Sequence, residues 1–193
     1  MNNINKLLEI LNTTNANKIV IKSLNNKYKG KDLIREIKKR YNFLKKKGLK
    51  KNDSLLFKTT NRIEYFFFLI ASSALGVNFI SISENFNDDE FKKVHRITKP
   101  SQKINLKSGL ALPNLATNKI KLNLKNINIF FLTSGSTSSP KIISHTFEKL
   151  ISNAACFNKE AKLDNKTIFY HVLPVGYMAG VLNSFLSPIM SKG

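Results

Sequence analysis

Cysteine is almost missing from this sequence, with Cys156 the only one in 193 residues. One thiol cannot close an internal disulfide and offers no cysteine pair to zinc, so a reducing compartment, and with it the cytoplasm, is expected. Long apolar runs are missing too. The start of the chain is broken up by Asn2, Asn3, Asn5, Lys6 and Glu9, so it does not read as a signal peptide. The strongest run, 65–77, is shorter than the roughly 20 residues a membrane span needs and contains Ser72 and Ser73; it reads as a buried core helix, and no membrane span is expected. Arginine is scarce: Arg35, Arg40, Arg62 and Arg96 are the only ones among 32 basic residues. Base readout in nucleic acids favours the planar fork of arginine. The lysines that produce the formal charge of +20 are scattered among asparagines along the whole chain, so the charge reads as compositional bias and no specific nucleic-acid partner is expected. Repeats, Gly/Ser linkers and proline-rich tracts are also lacking.

What is present is enough apolar material for a core, 42% hydrophobic residues including 14 Phe. It is arranged as alternating elements. A short helix near 4–11 and a strand at 18–21 precede a helix over 31–47. In that helix Leu33, Ile34, Ile37, Tyr41 and Leu44 recur at spacings of three and four and mark one apolar face, with Gly48 as the stop. A strand at 54–57 follows the turn signal Asn52-Asp53. Asn61 and Glu64 resemble a capping box opening a helix that runs to Leu75 and ends at Gly76. A strand at 77–82 and a helix from Asp88 to Ile97 complete a first hundred residues of strand–helix alternation, which points to an α/β fold with a largely parallel sheet. The Lys/Asn-rich stretch 99–128 reads as a loop-rich connection. Beyond it come an apolar strand at 127–132, a polar loop at 133–141 and a renewed apolar pattern at Ile142 and Ile143. A helix face follows, built from Phe147, Leu150, Ile151, Ala154 and Ala155, with Cys156 expected as a small packed residue beside it. A strand at 167–173 and a final helix at 177–190 end the pattern; this helix is expected to leave Val181, Leu182, Phe185 and Leu186 short of packing partners.

The loop Thr133-Ser134-Gly135-Ser136-Thr137-Ser138-Ser139-Pro140-Lys141 gathers six hydroxyl side chains and one lysine around a glycine. Glycine lets the backbone approach a ligand, free N–H groups and hydroxyls donate to phosphate oxygens, and lysine adds a point charge, so the composition suits a polyphosphate. The spacing of a Walker loop is lacking. The glycine clustering of a Ser-Lys hydrolase signature is lacking as well. His95, His145 and His171 show no partners that would make a metal site, and none is expected.

The ordered pattern from Phe130 to Lys141 resembles the signature of the adenylate-forming superfamily of acyl-CoA synthetases, aryl-CoA ligases and carrier-protein ligases. The one departure is Ser138, where that family most often has a second glycine. A second stretch, His171-Val172-Leu173-Pro174 followed by Gly176-Tyr177-Met178-Ala179-Gly180, is similar to the family's Leu-Pro segment. The likeness runs over about 27–193. It implies that Thr133, Ser134, Gly135, Ser136, Thr137 and Lys141 hold the phosphates of ATP, and that Tyr177 and Gly180 border the acyl pocket. By the same resemblance, 1–193 is a partial N-terminal AMP-binding domain, with an alternating region at 1–100 and the phosphate-loop and acyl-pocket region at 127–193. The C-terminal domain, with its lysine, and the metal, adenine and ribose contacts are absent.

The implied reaction is attack of a carboxylate on ATP with Mg²⁺ to give an acyl-adenylate and pyrophosphate, followed by transfer to CoA or a carrier protein. Two other readings stand beside it: a catalytically inactive remnant or regulatory nucleotide-binding module, and a basic nucleic-acid-binding protein. Nucleic-acid binding collapses steeply with salt, whereas a phosphate loop shows competition by ATP or pyrophosphate.

Overall fold

The structure, a computed structural model, describes residues 3–13, 15–23, 26–106, 117, 120–133 and 141–191. Its centre is a five-stranded sheet in the order β5-β3-β4-β6-β7, with β3 (Ser54–Thr59), β4 (Asn78–Ser81), β5 (Gln102–Leu106), β6 (Asn128–Thr133) and β7 (Lys141–Thr146). The first four strands of that order are parallel, and β7 returns antiparallel to β6. A separate antiparallel pair, β1 (Ile19–Lys22) and β2 (Lys27–Lys29), follows the first helix, α1 (Asn3–Asn12).

Successive strand residues face opposite sides, and both sides are covered. Leu55, Phe57, Phe79, Ile129 and Phe131 face the larger core, with α1, α2 (Gly30–Lys46), α3 (Arg62–Leu75) and α5 (Phe147–Glu160). Leu56, Ile80 and Leu132 face a smaller core closed by Phe91 and Val94 of α4 (Asp88–Thr98).

The expected core helix is α3, buried from Tyr65 through Ala74. Phe68 stacks on Phe57 with ring centroids 4.6 Å apart, and the Tyr65 and Phe79 rings meet edge to face at 5.3 Å. Fully buried side chains of this size each contribute about 1.5–3 kcal/mol through area removed from water. Asn61 caps the helix, its side chain accepting from the Ile63 and Glu64 amides, and Gly76 closes it in the left-handed region at φ 82°. The capping box is not completed, because Glu64 turns away to Arg40 of α2, which also pairs with Glu36 and lies over the Phe67 ring. A complete box forms instead at α4, between Asn87 and Glu90.

Several expectations are corrected. The connection 99–128 contains an edge strand, β5, where Ile104 and Leu106 alternate with polar side chains and the main chain pairs with β3. Ala155 and Cys156 are exposed, and Asn158 takes the buried place on the α5 face because its amide donates to Ser187 O at 2.8 Å. The stretch 167–173, expected as a strand, belongs to no sheet among the described residues. The last helix runs as α6 (Met178–Val181), a π-helical turn Leu182–Leu186 and α7 (Ser187–Met190). Val181, Phe185 and Leu186 are buried in the larger core and Leu182 is half-buried against it, because the wider π turn lets the segment pack on α5 and α1 and the Phe185 ring stack on Phe66 at 5.1 Å.

Candidate functional site

In open α/β sheets, ligands gather outside the carboxyl ends of the parallel strands. In this molecule β3, β4 and β6 end there at Thr59, Ser81 and Thr133. Thr133 stands opposite Lys141 in the β6–β7 ladder, so the two ends of the hydroxyl-rich loop are held as an antiparallel pair at that edge. Lys141 is exposed at the first position of β7. Residues 134–140, which include the expected phosphate ligands Ser134, Gly135, Ser136 and Thr137, lie outside the described residues, as does the Thr133 side chain.

The segment holding Tyr177 and Gly180 is brought to the same edge. Ser81 is the register partner of Phe131, two positions before Thr133, and its hydroxyl donates to Gly176 O at 3.3 Å. The Ser81 hydroxyl in turn accepts from the Tyr65 hydroxyl at 2.7 Å. Tyr65 is fully buried, and burial, eased only in part by that bond, pushes its phenol well above the usual range. A Cβ on Gly176 would overlap the Ser83 backbone, and one on Gly180 would overlap the Pro174 carbonyl. Both positions therefore demand the smallest residue for close backbone approach. The outcome is a tight turn seated on the end of β4, with the Tyr177 amide donating to Pro174 O and the Tyr177 side chain exposed rather than packed in the core.

Beside this turn Arg62, the first residue of α3, donates to His171 O at 2.9 Å and faces His171 Nδ1 at 3.4 Å, while its guanidinium also meets Glu84 at 3.6 Å. A guanidinium can only donate, so Nδ1 accepts and the ring proton sits on Nε2. Burial first, and then the Arg62 charge, push the imidazole down to about 4, so His171 is neutral at physiological pH. Its Nε2 is buried and has no hydrogen-bond partner among the described residues. Arg62, Glu84, Ser81 and Ser83 were not singled out by sequence reasoning. The hydroxyl alternation Ser81-Ile82-Ser83 at a strand end was the available signal; nothing local to Arg62 announces its long-range partner.

Among the described residues no three His, Cys, Asp or Glu side chains come together as a metal site. These residues by themselves do not fit Mg²⁺, which in nucleotide sites rests chiefly on phosphate oxygens, water and one or two carboxylates.

Comparison by sequence finds no matching family model and no matching curated protein. Comparison of structures does. The o-succinylbenzoate CoA synthetase MenE of Bacillus subtilis, in complex with its acyl-adenylate intermediate, superposes with a TM-score of 0.78 at 16% identity over 95% of this chain and 53% of its own. Apo MatB from Rhodopseudomonas palustris superposes with a TM-score of 0.83 at 14% identity over 100% of this chain and 44% of its own. VinN in complex with 3-methylaspartate gives 0.80 at 15% identity over 97% of this chain and 59% of its own. The chain thus has the fold of the N-terminal portion of adenylate-forming enzymes, and it spans about half the length of these three solved structures.

Proposed function

We propose that this fold serves ATP-dependent activation of a small carboxylic acid, the chain providing the phosphate-holding and acid-facing part of an acyl-adenylate-forming ligase. The observation that supports it best is the convergence of two independent sequence features, the hydroxyl-rich loop rooted at Thr133 and Lys141 and the glycine-clamped turn bearing Tyr177, on one carboxyl edge of the sheet.

In this reading Thr133, Ser134, Gly135, Ser136 and Thr137 donate to the β- and γ-phosphate oxygens, and Lys141 contributes a charge-assisted contact. Fixing the leaving pyrophosphate in line with the attacking carboxylate is the chain's main contribution, since phosphoryl and adenylyl transfer depend on positioning and on neutralising charge at the leaving group. Tyr177 and Gly180 border the acyl group, and the exposure of Tyr177 suits contact with a ligand better than a packing role. Mg²⁺ bound with the nucleotide would neutralise phosphate charge, and no step is assigned to a metal held by this chain. Transfer of the acyl group to CoA or a carrier protein follows in the same reading, with adenine, ribose and metal contacts drawn from the part of the fold beyond this chain.

The test is acid-dependent exchange of pyrophosphate into ATP, run over a panel of small carboxylic acids on a protein carrying the rest of the fold and on the 193-residue chain alone. Exchange is expected only in the first, lost with Lys141→Ala, and altered in acid preference by Tyr177→Ala. Robust exchange by the 193-residue chain, or a Lys141→Ala protein as active as its parent, contradicts the assignment.

A further inference from the structure

The antiparallel pair β1–β2 has two unlike faces. Val20, Ile21 and Tyr28 pack against the larger core, and the Tyr28 ring meets Phe67 edge to face at 5.8 Å. Regular alternation would turn Ile19 the same way as Ile21. A β-bulge between them shifts the register instead, setting Ile21 opposite Tyr28 and Ile19 opposite Lys29. Bulges re-aim side chains, and this one sends Ile19 outward, where it is 50% exposed. Lys22 and Lys27 stand directly opposite each other on that outer face, and both are exposed, as is Lys29.

Like charges directly opposite across a ladder are destabilising, so the outer face works against the hairpin that carries it. No acid relieves it. All 12 acidic side chains of the chain lie among the described residues, yet none forms an ion pair with Lys22, Lys27 or Lys29, nor with Lys18 and Lys31, which flank the pair and are also exposed. On α2, by contrast, Arg35, Lys39 and Arg40 all meet carboxylates.

We propose that the outer face of β1–β2 docks on the surface of an anionic lipid bilayer, with the ammonium groups of Lys22, Lys27 and Lys29 on headgroup phosphates and Ile19 in the boundary between headgroups and acyl chains. The side chains of the face select this partner. Protein interfaces are poor in lysine and rest on aromatic or arginine anchors. Nucleic-acid surfaces rely on arginine forks and stacking aromatics. The outer face carries neither arginine nor an aromatic ring. Lysines around one aliphatic side chain do match a bilayer surface, where the negative potential attracts the ammonium groups while their stems and the aliphatic group reach inward. The attachment is peripheral, since no described helix is long and apolar enough to cross a membrane. The inference rests on the hairpin and not on the ligase reading, and its test involves no nucleotide.

The probe is a pair of vesicle preparations, phosphatidylcholine alone and phosphatidylcholine mixed with phosphatidylglycerol, each sedimented with the 193-residue chain at physiological salt. Binding is expected to the anionic vesicles and not to the neutral ones. A lysine near an anionic bilayer is worth about fivefold in partitioning, so the triple variant Lys22→Gln, Lys27→Gln, Lys29→Gln should bind about 100-fold more weakly. Relief of the Lys22–Lys27 repulsion should leave its melting temperature unchanged or raised. A second triple variant, Lys45→Gln, Lys46→Gln, Lys50→Gln, removes the same charge from exposed positions at and just after the end of α2, and should lose less than about fivefold. Ile19→Ser should weaken binding about three- to tenfold, and Ile19→Leu should retain it. Failure to bind anionic vesicles, equal binding to neutral ones, equal losses in the two triple variants, or binding indifferent to Ile19→Ser would each overturn the proposal. A single-stranded polynucleotide released by the first triple variant while vesicle binding stays unmoved would assign the face to nucleic acid and overturn it as well.

Discussion

Arg40 sits almost wholly inside the molecule, 7% exposed, between the carboxylates of Glu36 and Glu64 and over the Phe67 ring. Removing one partner of such a set leaves the others as uncompensated buried charges, which costs far more than the set contributes over an apolar replacement. Arg40→Ala and Arg40→Met are each expected to lower unfolding free energy by about 3–5 kcal/mol in urea denaturation, because either leaves Glu36 and Glu64 without their countercharge, and replacing all three by apolar side chains of similar volume by distinctly less. His171 carries a different signature. Folded, it stays neutral down to about pH 4, whereas in the unfolded chain it titrates near 6.5. Between those values the unfolded state holds more protons, so the stabilisation is full above 6.5 and is lost as pH falls toward 4. His171→Gln should flatten that part of the stability profile, by roughly 1–2 kcal/mol once solvent screening of this half-buried group is discounted. A profile unchanged by the substitution would show that the imidazole is not held neutral.

At the level of elements, the turn 174–180 depends on two glycines that close approach makes irreplaceable. Gly176→Ala forces a methyl group into the Ser83 backbone and Gly180→Ala into the Pro174 carbonyl, so each is expected to destabilise by about 1–3 kcal/mol, the usual cost of overpacking a closed site. Melting temperatures check this, with Gly48→Ala as a contrast in which the cost comes from φ 84° alone, since nothing crowds that position. The elements most legible in the sequence were those whose signals are local. Asn61 and Gly76 bracket α3 as expected, and the apolar spacing of Leu33, Ile34, Ile37 and Leu44 gives the buried face of α2. Signals set by partners far along the chain were not legible. β5 is a strand because β3 lies beside it, although Gln102, Lys103 and Asn105 have little strand character of their own. Residues 167–173 have that character in full, yet pair with no strand among the described residues. Glu64 reads locally as a capping partner, but Arg40, 24 positions away, holds its carboxylate. At the candidate site the sequence marked the hydroxyl-rich stretch 133–141, whose end residues Thr133 and Lys141 are register partners, and the segment at Tyr177, whereas the Tyr65–Ser81–Gly176 relay that seats the turn joins three separate elements and has no local mark.

For the whole molecule, the formal charge of +20 and the loop proposed to hold phosphate make competing claims on any anion. A diffuse cationic surface binds polyanions in proportion to their charge and releases them steeply with salt, without dependence on any one lysine. Under the proposed function, a loop whose ends Thr133 and Lys141 are register partners would instead bind an anion at one edge of the sheet. The most direct test of that central claim is calorimetric titration of the 193-residue chain with magnesium pyrophosphate at physiological salt, repeated with Lys141→Ala and with Lys149→Ala, an exposed lysine on α5. The expected result is saturable binding competed by ATP, weakened about 10- to 100-fold by Lys141→Ala through one lost charge-assisted contact, and untouched by Lys149→Ala. Equal losses in the two variants, or binding that vanishes with modest added salt, would contradict it.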